Sequence, residues 1–245
     1  YPPSKPSLDR ESSPVRALIT HLDLQPHIEG GYFVETDRDT HRVPNPFSKR
    51  DLPSRHSHTR PIPNALLPAN AHPSATASDN DSSSRAASTT IHYLLTPASP
   101  LGAFHRNRGR TVHTLHKGRA RYVIIHADEV APSDRPSGYG AEEEESGSDE
   151  KKLWTGKARV ETYVVGQDVL GGEKLQWIVD GGKYKASWLL PDTKDGKESE
   201  EGCLISETVV PGFEFADHDF MKKERAEALL TQEQLEEMGW MLRKD

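Results

Sequence analysis

Apolar positions along this chain recur mostly at every second residue, in short runs separated by turn residues. Such runs are Tyr32 to Thr36 after the Glu29-Gly30-Gly31 bend, Thr89 to Thr96, Leu101 to His105, Thr111 to His116 and Arg119 to His126. More follow at Ala158 to Val165, Leu175 to Val179, Tyr184 to Leu190 and Cys203 to Val210. Period-two runs bounded by Gly, Pro, Asn and Asp read as strands of a half-buried antiparallel sheet. Helical spacing occurs only near the two ends. Ser13-Pro14 gives a cap and a first-turn proline ahead of Val15, Leu18, Ile19 and Leu22. Thr231 with Gln234 makes a capping box ahead of Leu235, Met238 and Leu242. About eight to ten short strands with flanking helices predict an all-β sandwich or barrel rather than alternating βαβ units.

Two stretches lack this periodicity. Residues 43–88 are rich in Pro, Ser, Asn and Ala, and residues 132–152 contain the acidic run Glu142 to Glu145. Both read as loop insertions into one domain spanning 13–245, preceded by a loose proline-rich arm at 1–12. They account for a hydrophobic fraction of only 33%. A formal net charge of −7 argues against a general nucleic-acid or membrane-surface binder. The lone Cys203 excludes an intramolecular disulfide and a cysteine-based zinc site, and it reads as a small buried hydrophobe at a strand start. No apolar run approaches the roughly 18 residues needed to span a bilayer. A soluble, cytoplasmic protein is the expectation, and the absence of an initial methionine before Tyr1 suggests a removed N-terminal piece.

The candidate chemistry sits on one predicted hairpin, Gly102 to Gly118, where His105, His113 and His116 fall within a few residues. Imidazole is the side chain best placed to bind a metal or carry a proton near neutral pH. Residues three apart on a strand face opposite sides, so His113 and His116 cannot both point inward.

Five landmarks stand in order: Leu24-Gln25-Pro26-His27-Ile28-Glu29-Gly30-Gly31-Tyr32-Phe33, Leu94-Leu95-Thr96-Pro97, Phe104-His105-Arg106, Gly171-Gly172-Glu173-Lys174-Leu175-Gln176 and Val210-Pro211-Gly212-Phe213-Glu214-Phe215. In these the chain resembles the cupin superfamily, and within it the branch catalogued as a domain of unknown function. The resemblance implies a double-stranded β-helix (jelly-roll barrel) with a small-molecule pocket between its sheets, commonly in a homodimer.

Metal-binding cupins typically use two histidines, a glutamate and a late third histidine. By this resemblance His105 takes the first-histidine place, the glutamate position corresponds to Thr111, and the late histidine region falls on Lys185. Loss of the carboxylate and gain of a cation disfavour a divalent ion, unless a distant carboxylate such as Glu35 or Glu214 joins His105 and His113. The expectation is therefore a pocket without cofactor or metal, in which His105 and His113 transfer protons. Thr111 shares the inward face that His113 takes, and Glu35, His92, Tyr93, Gln176, Lys185, Trp188 and Glu214 complete the substrate-binding set, with Tyr184 in the same wall. The implied activity is isomerisation, epimerisation, tautomerisation or dehydration of a sugar-like or other carbonyl substrate. A metal-dependent oxygenase and a non-catalytic metabolite-binding module are the rival readings.

Overall fold

The computed structural model describes residues 8–47, 83–130 and 156–243. Thirteen strands and three α-helices are named in chain order. They are α1 (Ser13–His21), β1 (Gln25–Pro26), β2 (Tyr32–Arg38), β3 (Arg42–Pro44), β4 (Ser84–Ala86), β5 (Thr89–Leu95), β6 (Leu101–Arg106), β7 (Arg110–Lys117) and β8 (Ala120–Ile125). After them come β9 (Val160–Val165), β10 (Gln176–Val179), β11 (Tyr184–Leu189), β12 (Cys203–Val210), β13 (Asp219–Phe220), α2 (Lys223–Leu229) and α3 (Gln232–Met238). A six-stranded sheet, β1-β2-β5-β12-β7-β10, faces a five-stranded one, β13-β6-β11-β8-β9, and all their ladders are antiparallel. Consecutive strands β6 and β7 lie in different sheets, as do β10 and β11. This is the two-sheet sandwich that the strand pattern predicted, in the jelly-roll form that the resemblance implied.

Alternation sorts the apolar side chains into three layers. Between the sheets lie Tyr93, Leu95, Leu115, Tyr122, Ile124, Trp177, Val179, Cys203 and Ile205. On the outer face of the five-stranded sheet, Phe104, Val123, Ile125, Tyr184 and Ala186 pack beneath Leu229, Met238 and Met241 of the C-terminal helices. The outer face of the six-stranded sheet presents Tyr32, Leu94 and Leu204 to Val15 and Ile19 of α1. Each terminal helix thus covers one side of the sandwich.

Local signals behave largely as their chemistry requires. The Thr231–Gln234 capping box forms in both directions. The α1 cap is Ser12 rather than Ser13, its hydroxyl accepting from Val15 N at 3.4 Å. The N-terminal arm is not loose up to residue 12: Glu11 is buried and accepts from Thr96 Oγ1 at 2.7 Å and Tyr32 Oη at 3.2 Å. The ends of the first insertion are structured, since β3 and β4 pair as a hairpin of their own. The rest of that insertion, and all of the one at 132–152, lie outside the described residues. Among the described residues no helix is long and apolar enough to cross a membrane.

Candidate functional site

The space between the sheets carries polar side chains as well as apolar ones, and they fall into two groups. The first is built on adjacent strands. His113 (β7) stands opposite Glu207 (β12), and Lys185 (β11) reaches across from the other sheet. Lys185 Nζ donates to Glu207 Oε2 at 2.6 Å and to His113 Nε2 at 2.8 Å. His113 is fully buried and stacks on Trp177 of β10, with ring centroids 5.1 Å apart. Burial and the neighbouring ammonium lower the His113 pKa. Burial works to raise the Glu207 carboxyl, but Lys185 and His113 hold it well below its ordinary value. Glu207 is thus a carboxylate and His113 is neutral at pH 7.

The second group gathers around Glu29, in the loop between β1 and β2. Glu29 Oε1 accepts from His218 Nε2 at 2.8 Å, while Oε2 lies 3.2 Å from His105 Nδ1 and 3.7 Å from His27 Nδ1. His105 sits on β6, and His218 follows a 3-10 turn at Phe215–Asp217. The His105 and His218 rings stack at 5.3 Å. Burial would raise the Glu29 carboxyl, yet the surrounding imidazoles and the His218 hydrogen bond bring it down to about 2. Burial takes His105 down to about 3, against the pull of Glu29.

Why the chain delivers Glu29 here follows from the two glycines after it. Gly30 (φ +107°) and Gly31 (φ +66°) occupy the left-handed region that favours glycine. A Cβ on Gly30 would strike Leu101 O, and one on Gly31 would strike Leu94 O. The loop therefore lies flat on the strand backbones, sewn by Ala103 N to Glu29 O (2.8 Å), Gly31 N to Ser99 Oγ (2.8 Å) and Tyr93 Oη to Gly30 O (2.9 Å).

The structure brings some sequence-predicted residues together and separates others. His105, His113, Tyr93, Thr111 and Lys185 all face the space between the sheets, and Lys185 stands opposite His105 on the neighbouring strand. His92 does not: Tyr93 takes the inner face, so His92 points out and meets the exposed His116 at 5.7 Å. Gln176 is exposed and bonds Thr114 on the outer face, because its bulky neighbour Trp177 turns inward. Trp188 and Tyr184 also face outward, packed with the C-terminal helices, and Trp188 meets Trp240 at 5.6 Å. The expectation that His92, Gln176, Trp188 and Tyr184 line the pocket is corrected accordingly. Glu35 and Glu214 share Arg38, whose guanidinium lies 2.8 Å from Glu35 Oε2 and 3.2 Å from Glu214 Oε1, so neither joins His105 and His113.

Residues missed in the sequence were His27, Glu29, Glu207, His218, Tyr122 and Trp177. Glu207 carried a readable signal: it occupies the apolar side of the alternation Cys203, Ile205, Glu207, Val209, where a carboxylate needs a buried partner. Glu29 and His218 sit in loops, where no periodicity tells which way a side chain points.

Glu29, His105 and His218 present ligand atoms within 4.8 Å of one another, a carboxylate and two imidazoles whose composition suits a divalent ion. These three would hold it, with His27 beside them. One contact leaves Nε2 as the His105 nitrogen open to a proton or an ion. His105 Nδ1 lies 2.9 Å from Ala103 O, the distance of an N–H donated to a carbonyl, which commits that nitrogen's lone pair. A second cluster, His126, Asp128 and Glu129, is already neutralised by Lys183 and Arg159 at 2.8 and 3.0 Å. A cavity of about 340 Å³ lies elsewhere, lined by Arg119, Asp168, Glu173, Asp192 and Lys194 among others, and none of the predicted site residues borders it.

Similarity to known proteins places this architecture. The chain is 34% identical over 214 residues to the uncharacterized protein YML079W of Saccharomyces cerevisiae, covering 86% of this chain and 77% of that one. A hypothetical protein from Leishmania major superposes with a TM-score of 0.53 at 26% identity, over 85% of this chain and 88% of its own. Protein SO0799 from Shewanella oneidensis shares the fold, with a TM-score of 0.54 at 18% identity, over 94% and 97% of the two chains. The family model described as the cupin superfamily (DUF985) matches residues 16–221. Sheet order, buried histidines and family model agree, and the chain belongs to the DUF985 family of the cupin superfamily.

Proposed function

We propose that the space between the sheets binds a small carbonyl compound and moves protons on it without a metal, as an isomerase, epimerase or dehydratase does. The observation that carries this reading is the anchoring of His105. Its Nδ1 is held by Ala103 O and faces Glu29, while Nε2 has no hydrogen-bond partner among the described residues. A neutral imidazole fixed in this tautomer offers its Nε2 lone pair as a base. Nε2 takes a proton from the carbon beside the carbonyl. The Glu29 carboxylate stabilises the imidazolium that forms, and His218 keeps that carboxylate oriented. Lys185, on the strand next to His105, donates to the carbonyl oxygen as negative charge gathers there. The imidazolium, which exchanges its proton with solvent, then delivers one to the neighbouring carbon; inversion at the same carbon draws the proton from a second acid on the opposite face.

The test is proton exchange. The full chain is incubated in D2O with a panel of carbonyl sugars and small ketones, and the loss of C–H signals is followed by NMR. Exchange that is abolished in His105→Gln and kept in the outward-facing His92→Gln supports the reading. Equal exchange in both variants, or saturable binding with no exchange in any sample, rejects it, the latter in favour of a binding module.

A second reading rests on the same carboxylate and imidazoles, gathered within 4.8 Å. A divalent ion held by Glu29, His105 and His218 would supply Lewis-acid polarisation of an oxygen on the substrate. Elemental mass spectrometry of freshly purified protein decides between the two. Near one transition-metal ion per chain, lost in Glu29→Gln, favours the ion.

A further inference from the structure

His218 approaches Glu29 from a loop, and the group that braces this loop stands behind it. Arg85, on β4, is only 4% exposed. Its guanidinium grips both oxygens of the buried Asp217 carboxylate, with Nη2 at 3.1 Å from Oδ1 and Nη1 on Oδ2. Nε donates to Asn45 Oδ1 at 2.6 Å and Nη1 also to Gly212 O at 3.3 Å. The Phe47 ring covers the guanidinium, 5.1 Å from Cζ. Asp217 is the residue before His218, so a fixed Asp217 fixes the direction in which the imidazole leaves the chain.

The loop has tethers that do not involve Arg85. Gly212 N bonds Ala86 O at 2.9 Å, Phe213 N bonds Thr89 Oγ1 at 2.9 Å, and Met221 N bonds Phe104 O at 2.9 Å. These hold the backbone on both sides of the 3-10 turn, whose own bonds, Asp217 N to Glu214 O (2.9 Å) and His218 N to Phe215 O (3.2 Å), stay within it and do not tie it to the sheets. A buried ion pair is a poor way to gain stability, since apolar residues of similar volume often do as well. A two-pronged guanidinium–carboxylate contact does, however, define an orientation that a single bond leaves open.

We propose that Arg85 is a positioning residue of the site: through Asp217 it sets how His218 meets Glu29, and so how Glu29 faces His105. This rests on the reading of Glu29, His105 and His218 as one proton-handling unit. It makes the β3–β4 hairpin, which lies outside both large sheets, a working part of the site.

The test reads histidine rings directly and needs no substrate. Long-range proton–nitrogen NMR of the 15N-labelled full chain reports the tautomer and hydrogen bonding of each imidazole. Arg85→Lys keeps the charge and removes the fork. The expected result is a shifted His218 Nε2–H whose exchange with solvent is about tenfold faster or more, the factor one hydrogen bond to a charged group is worth. The His113 signals, tied to Lys185, stay in place. Should Arg85→Lys fail to fold, Arg85→Gln combined with Asp217→Asn removes both charges together, leaving neither buried alone, and serves the same purpose. Unchanged His218 signals in a folded variant overturn the proposal. So does a uniform shift of all the imidazoles, which marks a purely structural role. A selective His218 shift in a protein whose His105→Gln variant still exchanges deuterium would uphold Arg85 and reject the catalytic reading alone.

Discussion

The two polar groups between the sheets are made differently. Lys185, Glu207 and His113 stand on regular strands, and their positions follow from register: Glu207 opposite His113, with Lys185 reaching over. Glu29, His27 and His218 come from loops, and only His105 is on a strand. The strand group is an ion pair with an imidazole attached, in which Lys185 spends two of its three N–H donors. The loop group is one carboxylate among three imidazoles, with a nitrogen to spare. A sandwich interior can therefore hold a wall set by strand register and one built from loops side by side, and the loop-built one carries the candidate base.

Breaking the strand wall should cost most. Lys185→Met leaves Glu207 buried without its cation and should lower stability by about 3–5 kcal/mol. Lys185→Met combined with Glu207→Gln should recover most of that loss in urea unfolding. If the double variant is no better than the single, the pair does not dominate this wall. The loop wall yields next. Gly30→Ala should cost about 2 kcal/mol or more, since left-handed strain adds to the collision with Leu101 O. Gly172→Ala, at φ +90° with nothing within 4 Å, is the matched control and should show the strain alone, about 1 kcal/mol. Equal losses at the two glycines would mean that the close approach at Gly30 is unimportant.

A third effect, spread over pH rather than concentrated at one substitution, separates the walls. His105 titrates near 3 in the folded chain against an ordinary 6.5, so between these values the unfolded chain binds a proton that the folded one does not. Its contribution is present above pH 6.5 and is lost as pH falls toward 3, with a slope of up to about 1.4 kcal/mol per unit. Glu29, held at about 2 against 4.5, extends the decline in the same direction below pH 4.5. In His105→Gln the urea midpoint should be flatter between pH 6.5 and 4.5. An unaltered slope would show that other groups govern acid sensitivity.

How far the sequence could be read follows the same division. Period-two alternation located strands to within a residue or two, and β12 runs from Cys203 to Val210 as expected. With its phase set by the cupin resemblance, it also put His105, His113, Thr111 and Lys185 on inner faces and His116 outside. Where two neighbours could each claim the inside, size and packing decided: Trp177 over Gln176, Tyr93 over His92. Trp188 went outward because the C-terminal helices supply a second apolar layer, so that β11 is buried on both faces and its pattern is ambiguous. The α2 helix was not singled out. The ligand count that argued against a metal left out Glu29 and His218, since loop residues have no phase to read. Glu29-Gly30-Gly31 looked like a bend and nothing more, yet the bend is what aims the carboxylate.

That bend has a mechanical side. Gly30 rests on Leu101, in the five-stranded sheet, and Gly31 on Leu94, in the six-stranded one. The loop is thus a clasp closing the two sheets at one end, with the Glu29 carboxylate as its tongue. The sheets cannot slide or part there without drawing the tongue away from His105, so the spacing of the whole sandwich is gauged at a single side chain.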